Sequence, residues 1–263
     1  MSIKNIFSLA ASIIKLFIVI FLLSTNSKAE ENNIKQYSAD EGVLSIMYHR
    51  FDENKYPSTN IKVDIFKKQL ELIEESNIKQ YSRDEGVLSI MYHRFNEDKY
   101  PSTNIQMEIF LKHIQLIKDM NYDFIHPEEF QKNFNIPKKQ KKILLTVDDA
   151  FKSFYDFAWP YLKENKIPFI LFVSTEPVGN NGYMTWDQIK EVNKEGFAVI
   201  GHHSHSHEYL IEKSDQDFIE DIENANLIFK RKLGYIPKLF SYPFGEYSEF
   251  MRNYISKNFT FAF

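Results

Sequence analysis

Three short stretches of this chain carry side chains whose types and spacing suit hydrolytic chemistry. Asp148 and Asp149 stand side by side directly after the apolar run KILLTV. Two adjacent carboxylates at a strand end are costly unless something compensates them. The plain structural reading is that one of them caps a helix starting near Ala150. The second stretch, Gly201-His202-His203-Ser204-His205-Ser206-His207, follows the apolar run FAVI and holds half of the chain's 8 histidines. His203 and His207 are four apart, so one helical turn would bring both imidazoles to one face. A solvated polar loop is the competing reading. His202 and His205 are expected to point elsewhere, as surface or supporting residues. The third stretch, Ser241-Tyr242-Pro243-Phe244-Gly245, is a turn after a strand, and such a turn can present backbone N–H groups at a site entrance.

One Asp and two His make a three-ligand site for a divalent ion, with positions left for water and substrate. A second Asp beside the ion suits a general base. The chain has no cysteine, so any metal must be held by His, Asp or Glu. That donor set suits zinc or a similar ion.

The elements that position these groups alternate between strand and helix. KILLTV and PFILFVS read as strands buried on both faces, and Phe197 to Gly201 and Leu239 to Tyr242 as further strands. Helices are expected over Ile105 to Met120, Ala150 to Glu164, Trp186 to Lys194 with Thr185 as N-cap, Gln216 to Leu233, and Glu246 to Lys257. Thr260 to Phe263 opens a last strand. Parallel strands covered by helices imply an α/β barrel or open α/β sheet, with active groups at the C-terminal strand ends.

Hydrophobic residues make up 43% of the 263 residues and charged residues 26%, an ordinary globular balance. The net charge of −4 gives no support to a nucleic-acid partner. Lys4, the apolar stretch up to Leu23 and the small residues around Ser27-Lys28-Ala29 form a signal-peptide pattern over 1–29, with an uncleaved anchor as the alternative. The rest of the chain is then exported, periplasmic or extracellular, and meets a membrane only through that segment. Asn33 to Ser76 recurs as Asn77 to Met120, and Asn33–Ile61 differs from Asn77–Ile105 at three positions only. This reads as a local duplication over 30–76. The second copy is expected to be built into a catalytic domain over 77–263, and the first to be a spare unit packed peripherally or poorly ordered.

Thr146 to Ala150 resembles the TFDDG motif of the NodB-homology polysaccharide deacetylases. His203-Ser204-His205-Ser206-His207 is similar to their H-[ST]-x-x-H motif, and Phe240 to Gly245 to their FRxPxG motif. Leu88 to His93 resembles the MYH start of the poly-N-acetylglucosamine deacetylase branch. The resemblance covers Gly86 to Phe263 and implies a distorted (β/α) barrel. It implies Asp149, His203 and His207 as metal ligands and Asp148 as catalytic base, with zinc, cobalt or nickel polarising an acetyl carbonyl and acidifying a water. It places Tyr242 or Phe244 against a sugar ring of a polysaccharide or oligosaccharide substrate. Val147, Ala150 and Ser241 stand where the family usually has Phe, Gly and Arg. Further family motifs, including a histidine that acts as general acid, are expected after Phe263, so the domain is expected to be incomplete there. The alternatives are a degenerate member that binds metal and carbohydrate without turnover, and a metal-dependent hydrolase of small amides.

Overall fold

A computed structural model describes residues 45–47, 50–51, 60–61, 87–134 and 142–263. The export signal expected over 1–29 lies outside the described residues. Among the described residues no helix is long and apolar enough to cross a membrane.

The longest apolar runs become the centre of one parallel sheet. In chain order the elements are β1 (Ser45–Met47), β2 (Arg50–Phe51), β3 (Asn60–Ile61), β4 (Leu88–Tyr92), β5 (Arg94–Phe95) and β6 (Asn104–Ile105). Helix α1 (Met107–Asp119), β7 (Asp123–Phe124), α2 (Pro127–Phe134) and β8 (Lys142–Val147) follow. A π-helical turn (Phe154–Ala158) leads into α3 (Trp159–Asn165), then β9 (Phe169–Val173), α4 (Trp186–Asn193) and β10 (Ala198–His202). The chain continues through α5 (Asp215–Leu233), β11 (Leu239–Phe240), α6 (Glu249–Asn258) and β12 (Phe261–Ala262). The strand order is β1-β4-β8-β9-β10-β11-β12, with β7 pairing the start of β8. Every pairing between named strands is parallel. Parallel neighbours need helical crossovers, which cover the sheet.

Period-two alternation divides the core. Ile143, Leu145 and Val147 of β8 and Phe169, Leu171 and Val173 of β9 share one buried cluster with α1, α3 and α4. The intervening Leu144, Ile170 and Phe172 join Val87, Ile125 and Phe130 in a second cluster, which Phe261 and Phe263 also touch. The sheet is therefore dry on both faces and curls around the second cluster as part of a (β/α) barrel. Gly201 lies where space runs out, because a Cβ there would meet Phe172 Cδ1 at 2.3 Å.

The expected strands are all present. Thr185 caps α4 as expected and forms a reciprocal capping box with Gln188. Residues after Ala150 differ from the expected continuous helix: Asp149 and Ala150 have φ of 72° and 51°, and the next helical turn is of π type. Neither carboxylate is then a helix cap. The first copy of the duplication contributes β1 beside β4, with equivalent residues paired: Ser45 to Ser89, Ile46 to Ile90, Met47 to Met91. The rest of that copy, apart from β2 and β3, lies outside the described residues.

Candidate metal and catalytic site

Three strand ends meet where the sequence motifs fall. Asp148 and Asp149 leave β8, His203 leaves β10, and Ser241 leaves β11. Asp148 is tied to the neighbouring strand end by its N–H, which donates to the Tyr92 carbonyl at 2.9 Å. Its side chain accepts the Ser241 hydroxyl at Oδ2, 3.1 Å away. The left-handed backbone at Asp149 turns the second carboxylate towards the histidines.

His203 and His207 converge, but not through a helical turn. The segment is a loop with left-handed residues at Ser204 (φ 71°) and His207 (φ 55°). Tertiary bonds shape it. His203 N–H donates to Val173 O at 3.0 Å, and Glu176 N–H to His205 O at 3.0 Å. His207 N–H donates to Ser204 Oγ at 3.1 Å. Asp221 of α5 accepts two further N–H groups of the same loop.

The result is a compact donor set. Asp149 Oδ1 lies 2.9 Å from His207 Nε2 and 3.5 Å from His203 Nε2. One ligand atom from each of the three residues lies within 4.8 Å of the others. Asp148 Oδ2 is 4.0 Å from His203 Nε2. The ring of His203 donates from Nδ1 to the Ser241 carbonyl at 2.8 Å, since a carbonyl can only accept. In the neutral ring Nε2 then carries a lone pair that faces a carboxylate oxygen, an arrangement that calls for a cation between them. The donor set and the tautomer both fit a divalent ion.

These groups also shift one another's charge states. Burial opposes charge on Asp149, yet hydrogen bonds from His203 and His207 and the field of His93 outweigh it and hold the carboxyl well below its usual range. Burial likewise opposes charge on His203, but Asp149 and Asp148 together raise it. Asp148 is shifted the other way, upward, chiefly by burial. Two neighbouring carboxyls pushed apart in this manner are suited to different roles.

Of the flanking histidines, His202 does point elsewhere, into the core. Its ring packs 5.0 Å from Phe229 and 5.1 Å from Phe259, and burial pushes it down to about 3. His205 is held by Thr175, whose hydroxyl is 2.8 Å from Nδ1. Phe244 is 57% exposed, adopts φ 61° and lies tilted against His207 with ring centroids 4.9 Å apart. Tyr242 is only 7% exposed and packs against Phe240 and Tyr247, so it supports the rim from beneath. His93, at the end of β4, was not singled out from the sequence, yet its field reaches both Asp148 and Asp149. Its signal was its place directly after the apolar strand beside KILLTV.

A polysaccharide deacetylase family profile matches residues 135–259. The putative polysaccharide deacetylase YxkH of Bacillus subtilis is 25% identical over 130 residues, 49% of this chain and 46% of that protein. The poly-beta-1,6-N-acetyl-D-glucosamine N-deacetylase of Staphylococcus aureus is 26% identical over 129 residues, 44% of each. The chain thus spans less than half the length of these curated relatives. Among solved structures, IcaB from Ammonifex degensii superposes with a TM-score of 0.62 at 26% identity, covering 66% of this chain and 81% of that one. With its parallel curled sheet and its motifs at the expected strand ends, the chain is similar over residues 135–259 to the polysaccharide deacetylase family.

Proposed function

We propose that the chain removes acetyl groups from N-acetylated sugars of a polysaccharide, with a poly-N-acetylglucosamine as the first substrate to try. The carrying observation is the convergence of Asp149, His203 and His207 with Asp148 alongside. Asp149 Oδ1 and the two Nε2 atoms would hold a divalent ion, zinc first, with cobalt or nickel as alternatives. Such an ion supplies a Lewis acid for the acetyl carbonyl and makes water more acidic. Asp148 accepts the proton of the attacking water, a task suited to a carboxyl whose basicity burial has increased. The field of His93, at the end of β4, also reaches both carboxyls. Phe244 offers an exposed ring beside His207 for the apolar face of a sugar. The N-terminal segment, read as an export signal, accords with a polymer outside the cytoplasm.

The test is acetate release from N-acetylglucosamine oligomers, with and without chelator, by this chain and by Asp148→Asn. Release that stops with chelator and with the variant supports the reading. Release that persists in chelator rejects it.

A further inference from the structure

We infer that Tyr209 sets the length of substrate the site prefers: with Phe244 it seats the sugar unit that neighbours the reacting one, so that oligomers bind better than single sugars. The inference rests on the deacetylase reading above. A chain of ring contacts carries it. His203 and His207 lie with ring centroids 5.0 Å apart, His207 and Phe244 4.9 Å, and Phe244 and Tyr209 5.5 Å. The ring surface thus runs without a break from the candidate metal ligands out to the rim. Each step is comparable to the width of one sugar ring.

Core packing does not account for the two outer rings. Phe244 is exposed although Pro243 before it is buried, and its left-handed backbone is one that a bulky side chain enters only with strain. Tyr209 is 37% exposed, whereas Leu210 beside it is buried with Phe218, Tyr242 and Met251. Leu210 therefore anchors the backbone and leaves the Tyr209 ring at the surface. Exposed apolar surface next to a polar site suits a ligand with both kinds of surface. A sugar unit is such a ligand, with C–H groups on its faces and hydroxyls around its edge. The Phe244 and Tyr209 rings meet at 65°, so they form a corner and not a flat shelf. One ring can lie under the C–H face of a sugar while the other walls its edge. The Tyr209 hydroxyl donates to the carboxylate of Glu246, which directly follows the turn Pro243–Gly245 that carries Phe244. That bond staples the histidine loop to the turn after β11 and holds the two rings at their angle. Glu246 is exposed, and a carboxylate accepts more than one hydrogen bond, so a sugar hydroxyl can share it.

The experiment compares the zinc-loaded wild-type chain with Tyr209→Ser and Tyr209→Phe. Acetate release is measured from the N-acetylglucosamine tetramer and from the methyl glycoside of N-acetylglucosamine. Tetramer binding is measured by calorimetry, with each chain also carrying Asp148→Asn so that the tetramer stays intact. In Tyr209→Ser the preference in kcat/KM for the tetramer over the methyl glycoside should fall about two- to tenfold, the scale of one aromatic contact. The loss should appear in KM, and tetramer affinity should fall by the same factor. Tyr209→Phe keeps the ring and should stay closer to the wild type than Tyr209→Ser does. A Tyr209→Ser chain with wild-type preference and wild-type tetramer affinity overturns the inference, and so does a loss that is equal for the two substrates. If the wild-type chain binds the tetramer and releases no acetate, the deacetylase reading fails, and the calorimetric difference still decides the role of Tyr209.

Discussion

Asp221 accepts the backbone N–H groups of both His205, at 2.7 Å, and Ser206, at 3.0 Å. One carboxylate on α5 thus clamps the loop that carries His203 and His207. Neither ligand touches it, yet their convergence depends on it. In Asp221→Ala both half-buried N–H groups lose their partner, at about 1 kcal/mol each. The expected result is a loss of zinc affinity of about tenfold or more, the usual scale for removing a group that supports a ligand. Titration calorimetry checks this, and unchanged affinity would show that the loop holds its own shape.

Ligand and base variants should fail in different ways. Asp149→Ala and His207→Ala each remove one of three donors, and both should lose zinc binding together with acetate release. Asp148→Asn leaves the donor set whole. It should bind zinc as the wild type does while slowing release by about a hundredfold or more, the range expected for a general base. If Asp148→Asn loses the metal as well, Asp148 is a ligand and the division of roles is wrong.

Stability should fall with acid over a defined window. Burial pushes His113 down to about 3, and its Nδ1 is 2.9 Å from the Tyr92 hydroxyl. In the unfolded chain the imidazole titrates near 6.5, so on acidification the unfolded state takes up the proton first. The stability is therefore complete above about pH 6.5 and declines as pH falls towards 3, by at most about 4–5 kcal/mol for this residue. His202, also pushed down to about 3 by burial, acts in the same direction. The first repeat copy has Gln69 at the position equivalent to His113. His113→Gln should flatten the curve between pH 4 and 6.5, as read by urea unfolding at a series of pH values; an identical slope would contradict the assignment.

Gly201 should tolerate no side chain. An added Cβ would lie 2.3 and 2.5 Å from Phe172 ring carbons and 2.9 Å from Ile170 Cγ2. Both neighbours sit on the central strand β9, whose five residues are all buried. Gly201→Ala should destabilise the fold by about 1–3 kcal/mol, the cost of overpacking a dense core. Thermal unfolding measures it, and a wild-type melting temperature would mean that β9 can shift.

Much of this architecture was legible in the chain. KILLTV, FILFV and FAVI are apolar but for Lys142 and Thr146, as strands buried on both faces usually are, so the strand ends and the groups just beyond them could be read directly. The conformation of those groups could not. His203 and His207 have helical spacing, but Asp221, Val173 and Glu176 come from distant positions and pull the segment into a loop. Ala150 stands where the family usually has Gly, and it adopts φ 51°, a left-handed state that an alanine enters at a cost of about 1–2 kcal/mol. β7 and α2 escaped notice because Asp123–Phe124 is too short to show a period and α2 is mostly polar. His93 closes the MYH stretch but was not marked there as chemical, Asp221 carries no motif of its own, and only the folded chain brings Asp221 to the histidine loop.

The strand that flanks β8 was duplicated without a change: Val43–Phe51 and Val87–Phe95 are the same nine residues. Side-chain chemistry therefore cannot tell β8 which copy to accept. What separates the two is the path back to Lys142, which is shorter by one repeat for the second copy, and a shorter closure costs less entropy. Among the described residues β1 is left with the outer edge of the sheet, paired on one side only. Excising one repeat unit should thus cost the sheet an edge and leave every pairing from β4 through β12 in place.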